Sequence, residues 1–543
     1  MFTYLHCYMP ETWDAQIRAG LVRPGDGIRF SQSIDIAESL KFNYLARIDG
    51  ELYRYVKETR CPFYIDRLQG GCFLEEYPYD KELVNAYRTL LGENFWGFQM
   101  HEWMSNVRSD LSKIINNNCP AWTAEAITET IRKAFPFKNT FLEAMNAKEY
   151  AEMGIPQSFE DYLLEMEKLF CKRQVQVDGD LIPCDSAMQA QPLEIRNGAK
   201  RLITEIGAQT ANTRIQVAFT RGMARAAGIP FGTYYEPWGG SPFSACCYHR
   251  EEKNEWNIIA ESLPFHTAGD NGGSSRSLQH RLHLYSYMAG ASFMAEEWGM
   301  CNTFYDWENF ELTPYGKVKK DFLDFVDQYP DIGEPVIKAA LVLPKEMLVL
   351  DLALSHDTYL SYPVDGAFQN KLTTVVNALN LLFVDSAPMS GTETGSLRNC
   401  LTPDSIDIIT EDSPTVNQYS ILIDATCNPT FREEYRQSIV DVQKAAECLN
   451  ALLPVQLQGG ASMQITYNQE TGIYYVLLLN NSGVCRTVAD GETYLPEANI
   501  SVTLTVKSGK PLQQLQGNGS ILYNEGKNYS ISVPAGGWFF AKV

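Results

Sequence analysis

FWGFQMHEW, residues 95–103, follows closely on YDKELVNAYRTLLG, residues 79–92. The first-quoted stretch is a short aromatic and apolar run that closes on His101, Glu102 and Trp103; the stretch before it is helix-like. That order, a helix running into a short strand, recurs from residue 1 to about 325. The strands read as FTYLHCYM (2–9), GIRFSQS (27–33), CPFYIDRL (61–68), FWGFQMHEW itself, DLIPCDSA (180–187), RLITEIGA (201–208), IPFGTYYEPW (229–238) and ASFMAEEWG (291–299). Helical stretches lie between most of them, such as NTRIQVAFTRGMARAAG (212–228), which ends in a Gly where a C-terminal cap wants one. Strands alternating with helices imply a parallel sheet, and eight such units predict an α/β fold of the (β/α)8 barrel type over 1–330. A charged, mostly helical stretch at about 107–178 reads as an insertion between the fourth and fifth strands, in a loop where barrels tolerate one.

Beyond Tyr329 and Pro330 the pattern changes. EPVIKAALVLP (334–344), NKLTTVVNALNLL (370–382) leading into FVDS, and NQYSILIDAT (417–426) read as a Rossmann-like α/β domain over 331–452, without a G-x-G-x-x-G loop for a nucleotide. From Leu453 to the end, Gly/Asn/Ser-punctuated runs such as YYVLLLNNSG (474–483) and ISVTLTVKSG (500–509) have the cadence of a β-sandwich. A chain of 543 residues has room for such a division. With 45 Lys+Arg against 66 Asp+Glu, a net charge of −21, and no basic run, the chain is a poor match for nucleic acid. No apolar stretch is long enough for a membrane span and no signal segment opens the chain, so a cytoplasmic protein is expected. The 13 cysteines include no C-x-x-C pair and the 7 histidines no HExxH, so reduced thiols and no metal are expected.

In a parallel barrel the ligand sits where the strands finish. Here those ends carry Asp66 and Arg67, His101 and Glu102, Asp185, Glu205, Glu236, and Glu296 with Glu297. Trp103, Trp238 and Trp298 each follow one of these acids by one or two residues. Adjacent strand residues face opposite sides, so of the last pair Glu297 is taken to face the axis. An acid-rich cup lined by indoles suits a neutral polyhydroxylated ligand: carboxylates accept from sugar hydroxyls while indoles cover the C–H faces of the ring. Hydrolysis of a glycosidic bond needs two carboxyl groups, one to protonate the leaving oxygen and one to act as nucleophile or as base for water. Glu102 is the candidate proton donor and Glu236 its partner; Glu205 is the alternative nucleophile if 2–9 lies outside the barrel and the count shifts by one strand. Asp66, Arg67, His101, Trp103, Asp185, Trp238, Glu297 and Trp298 are the candidate substrate contacts. Structural readings stand beside these: Glu102 as a helix-start carboxylate, Asp66 and Arg67 as an ion pair, the tryptophans as core.

GFQMHEW (97–103) resembles the G-W-Q-x-x-N-E ending of the fourth barrel strand in clan A glycoside hydrolases, above all the family 42 β-galactosidases, where that Glu is the acid/base. IPFGTYYEPWGG (229–240) is similar to their nucleophile strand, and RLHLYSYMAGASFMAEEW (281–298) to the helix and strand that follow. The resemblance implies a barrel, a Rossmann-like oligomerisation domain and a β-sandwich. It also implies an Asn before the acid/base, where this chain has His101, while RLITEIGA is similar to the T-E-x-G nucleophile strands of other clan A families. The function expected is a retaining glycoside hydrolase that releases a terminal, β-galactoside-like sugar from glycosides or oligosaccharides. It needs no cofactor, takes a small carbohydrate substrate, and forms a homo-oligomer through the middle domain. The alternatives are a catalytically silent carbohydrate-binding barrel and an inverting glycosidase; a lyase or isomerase would draw its base from His101.

Overall fold

The computed structural model describes residues 2–31, 38–66, 75–134, 140–185, 190–207, 213–236, 275–296, 303–305, 308–345, 358–359, 362–363, 365–384, 397–487 and 491–543. Eight parallel strands close into a barrel in chain order: β1 (Thr3–Cys7), β2 (Gly27–Phe30), β3 (Phe63–Ile65), β4 (Phe95–His101), β5 (Leu181–Asp185), β6 (Leu202–Gly207), β7 (Phe231–Glu236) and β8 (Phe293–Glu296). Each of the eight stretches read as strands supplies one. β1 pairs with both β2 and β8, so the first strand closes the seam and a count that leaves 2–9 outside the barrel does not hold.

Side chains at alternate positions divide into two packed groups, as the pleat requires. Leu5, Tyr64, Ile182, Cys184, Ile203, Tyr234, Phe293 and Ala295 pack with Trp96 inside the barrel. Their neighbours in sequence, such as Tyr4, Ile65, Leu181, Leu202, Tyr235 and Met294, join the larger core beneath the surrounding helices. β4 breaks the alternation at Gly97, whose φ is +110° and whose added Cβ would lie 2.0 Å from the Asp180 carbonyl oxygen. The register of β3 against β4 slips at this point. Such a bulge inserts one residue and reverses the facing of all that follow. Phe98 and Met100 therefore pack outward, and His101 shares the interior side with Trp96.

Four helices, Trp103–Asn116, Ala124–Ala134, Thr140–Met153 and Phe159–Gln176, fill the connection from β4 to β5, so the insertion starts directly at the strand end. After the last barrel helix, Pro314–Gln328, the described residues form a three-stranded parallel sheet, two larger antiparallel sheets of four and five strands, and two short antiparallel pairs. In the parallel sheet Ala339–Leu343 lies between Ile406–Thr410 and Ile421–Asp424. FVDS contributes no strand among the described residues: Asn380–Val384 is a π-helical turn, and the neighbouring strand is Ile406–Thr410. The edge strand Ile406–Thr410 meets helix Thr213–Ala227 of the barrel. There Arg214 Nε donates to Asp404 Oδ1 at 2.6 Å, and Arg221 Nε and Arg225 Nη1 donate to Asp407 at 2.6 and 3.0 Å. On the face that carries Asp407, Val342, Ile409, Tyr419 and Phe431 pack together, and the Tyr419 hydroxyl donates to Asp407 Oδ2 at 2.9 Å.

The two larger antiparallel sheets bury Leu504, Val506 and Ile531 from one and Met463, Leu477 and Phe539 from the other in the shared core. The second of them takes in Glu334–Pro335, the chain's exit from the barrel, which pairs with Tyr467 and Thr466. Among the described residues no helix is long and apolar enough to cross a membrane.

Candidate active site

The interior side of the strands turns polar towards the mouth of the barrel. Arg29 Nη1 donates to Asp66 Oδ2 and, at 2.9 Å, to the Tyr234 hydroxyl, which itself donates to Asp66 Oδ2 at 3.1 Å. Both ions of the Arg29–Asp66 pair are fully buried. Asp66 Oδ1 lies 3.9 Å from His101 Nδ1, which is 3.1 Å from Gln99 Nε2. On the far side of the ring, His101 Nε2 lies 3.5 Å from Glu102 Oε1 and 3.7 Å from Glu205 Oε1. One donor atom each from His101, Glu102 and Glu205 falls within a 4.8 Å spread. The structure therefore brings together Asp66, His101, Glu102 and Glu205 from β3, β4 and β6.

Glu102 owes its place to an uncommon backbone. It has φ +46° and ψ +34°, a left-handed conformation that costs a non-glycine residue about 1–2 kcal/mol and persists only where the surroundings enforce it. Three contacts do so. Glu102 N–H donates to the Cys184 carbonyl at 2.7 Å. Asp185 accepts from the N–H groups of Met104 and Ser105 at 2.7 and 3.0 Å and from the Ser105 hydroxyl, and so caps the helix that starts at Trp103. Trp103 Nε1 donates to Glu194 Oε1 at 2.7 Å. The carboxylate of Glu102 is 28% exposed and accepts from Asn106 Nδ2 at 3.2 Å, whereas Glu205 is buried.

The geometry corrects two of the expected substrate contacts. Asp185 is the last residue of β5 and one step past inward-facing Cys184, so it faces the helix end it caps. Trp103 is buried against Phe170 with its indole N–H committed to Glu194, which leaves no open face for a sugar ring. The ion partner of Asp66 is Arg29; Arg67 lies outside the described residues, as do Trp238, Glu297 and Trp298. Glu236 ends β7 opposite Gly207, and its side chain too lies outside them. Glu296 faces outward, where Lys319 Nζ lies 3.2 Å and His283 Nε2 3.5 Å from its carboxylate. Arg29, Tyr234 and Glu194 were not singled out in the sequence. For Arg29 a signal existed, since a charged residue between the core residues Ile28 and Phe30 must face the barrel interior.

No protein-family model and no curated protein matches the chain. Among solved structures, alpha-L-fucosidase isoenzyme 2 from Paenibacillus thiaminolyticus is similar over 100% of this chain and 99% of its own, at 10% identity and a TM-score of 0.45. An alpha-L-fucosynthase of Thermotoga maritima is similar over 100% and 94%, at 10% identity and a TM-score of 0.15. SrfJ from Salmonella typhimurium is similar over 71% and 74%, at 9% identity and a TM-score of 0.16. Likenesses of this size say nothing of substrate or mechanism, which belong to the site itself.

The field around the site is negative. Burial first, and then the carboxylates of Glu205, Asp66, Asp185 and Glu102, push the Cys184 thiol well above its ordinary range, so it is no nucleophile. Behind the site, burial pushes Glu194 up to about 8, Trp103 opposes the shift and Asp185 adds to it. At the β8/β1 seam, burial outweighs Glu296 and holds His283 down to about 4; burial likewise lowers His6 against the pull of Asp26.

These shifts give stability a pH optimum. The folded chain binds a proton at Glu194 that the unfolded chain releases, so that contribution is full below the ordinary Glu value and is lost as pH rises through 8. The lowered histidines act oppositely: the unfolded chain takes up their protons first as pH falls below 6.5, and stability is lost there. The urea midpoint is expected to peak near pH 6.5, with about 2 kcal/mol lost by pH 8, and Glu194→Gln is expected to flatten the alkaline arm. A midpoint constant from pH 6.5 to 9 would count against these assignments.

Proposed function

We propose that the chain is a retaining glycoside hydrolase in which Glu102 is the acid/base and Glu205 the nucleophile. The observation that carries this reading is the close approach of the two carboxylates, with oxygens within 4.8 Å of each other at the barrel mouth. Retention uses carboxyl groups about 5–5.5 Å apart, while inversion needs about 6.5–9.5 Å to admit a water between them. Exposure divides the roles. Glu102, partly open to solvent, can protonate the departing oxygen and later activate water; Glu205, set deeper, can attack the anomeric carbon from below. Attack forms the glycosyl ester as the C–O bond breaks and Glu102 gives its proton to the aglycone. Water then yields its proton to Glu102 and its oxygen to the sugar, freeing Glu205. A neutral sugar suits a cup whose one described internal cation, Arg29, is already matched by Asp66.

Screening nitrophenyl glycosides and then trapping with the matching 2-fluoro glycoside is expected to place the label on the peptide holding Glu205. A label on Glu236 moves the nucleophile to β7, the assignment drawn from the sequence, and leaves Glu102 in its role. Product of inverted configuration, or binding of sugars with no turnover at all, overturns the retaining reading in favour of an inverting enzyme or a silent barrel. His101, Glu102 and Glu205 also form a donor set that a divalent cation could draw together. Hydrolysis abolished by EDTA and restored by such an ion would replace the two-carboxylate mechanism with a metal-dependent one.

A further inference from the structure

The acid/base is held from behind by a residue that touches neither substrate nor either reacting carboxylate. We infer that Glu194 is a positioning residue: through the Trp103 indole it locks the left-handed turn that aims Glu102 at Glu205. This rests on the functional reading above for its catalytic consequence, but not for its geometry.

Trp103 is the first residue of its helix and the immediate neighbour of Glu102, so any shift of its indole is passed to Glu102 through one peptide unit. The indole is 3% exposed and wedged against Phe170, and its N–H goes to Glu194, itself 2% exposed, on helix Gln191–Arg196. Among the described residues, Trp103 and Asp185 are the groups that act on the Glu194 carboxyl. Asp185 comes from β5 and is committed to the first turn of the same helix that Trp103 begins; Phe170, from helix Phe159–Gln176, packs against the Trp103 ring; on the helix of Glu194 itself Arg196 turns outward to Glu167 at 3.1 Å. Glu194 and Asp185 therefore hold one helix start from two sides. While Glu194 carries its proton, the two carboxyl groups coexist; once it ionises, two buried negative charges oppose each other across the turn that presents Glu102. Burial sets that ionisation at about 8. Activity should accordingly show an alkaline limb that belongs to no group in contact with the sugar.

The test uses the full chain, two variants and two readouts. In Glu194→Ala the indole loses its acceptor, and kcat/KM, which reports formation of the glycosyl ester, is expected to fall about 10- to 100-fold on glycosides with poor leaving groups while kcat/KM on activated aryl glycosides stays within about twofold. A merely structural weakening lowers both alike, and that result would overturn the positioning role. Glu194→Gln keeps an acceptor oxygen but has no proton to lose, so it should keep most activity at pH 7 and lose the alkaline limb near pH 8; a profile overlaying that of the unaltered chain would also overturn it. Hydrogen exchange over 103–106 needs no substrate. It should speed up above pH 8 in the unaltered chain and at pH 7 in Glu194→Ala, and show no such step in Glu194→Gln once intrinsic rates are corrected. If no glycoside is cleaved yet exchange behaves this way, the hydrolase reading fails and the positioning contact stands. If glycosides are cleaved and exchange does not respond, the positioning contact fails alone.

Discussion

Glu102→Gln is expected to slow hydrolysis of glycosides with poor leaving groups by about 10²- to 10⁴-fold, the usual worth of a positioned general acid. The substitution keeps the volume and the backbone cost of the left-handed turn, so what it removes is the proton. Activated aryl glycosides, whose leaving group departs without help, should form the glycosyl ester at nearly the normal rate and then stall for want of a base. Added azide should restart turnover, because it attacks the ester without having to be deprotonated, and a glycosyl azide should be recovered. Equal losses on both kinds of substrate, with no response to azide, would take Glu102 out of the acid/base role.

The second large effect concerns the floor of the cup. Asp66→Ala is expected to cost about 3–5 kcal/mol of stability, read as a lower urea midpoint at pH 6.5, because it strips the carboxylate from a guanidinium that has no access to water. The same reasoning predicts that pairing Asp66→Leu with Arg29→Met costs much less than Asp66→Ala, since the charge is then removed along with its partner. A cost below about 1 kcal/mol for Asp66→Ala alone would mean that water or another group already carries the charge. Catalysis should suffer as well, because Asp66 lies beside the imidazole that stands between the two proposed reacting carboxylates.

The barrel was legible because each strand is a short apolar run set off by helix and loop, a pattern that local residues determine. Glu102 and Glu205 were legible as acids near strand ends. Facing was harder to read. Asp185 stands at a strand end like the others, yet one residue separates a side chain on the axis from one that caps a helix. The helix begins at Trp103 and carries its indole under the wall, the core position that stood beside the sugar contact as a reading of that residue. The bulge at Gly97 leaves a lone glycine as its trace, and nothing in 95–103 tells that Gln99 and His101 face inward in place of Phe98 and Met100. Arg29 sits within a strand, away from the strand ends where a parallel barrel gathers its ligand groups. The strand Ile406–Thr410 has turn residues on both sides, Pro403 to Ser405 and Asp412 to Pro414, and only the short IDII run between them to mark it; the resemblance to family 42 rests on the three quoted motifs.

The pairing of Glu334–Pro335 with Thr466 and Tyr467 sets an order of events during synthesis. When the barrel's exit leaves the ribosome, the strand it must join has not been made, and at about 5–20 residues per second the wait is on the order of ten seconds. Through that interval the backbone groups of the exit face solvent or a chaperone, and only the arrival of the last sheet closes them off. The barrel is thus finished by its tail. A chain cut before Thr466 loses more than its last antiparallel strands: it keeps every proposed catalytic group and leaves the strand at the barrel's exit without its partner.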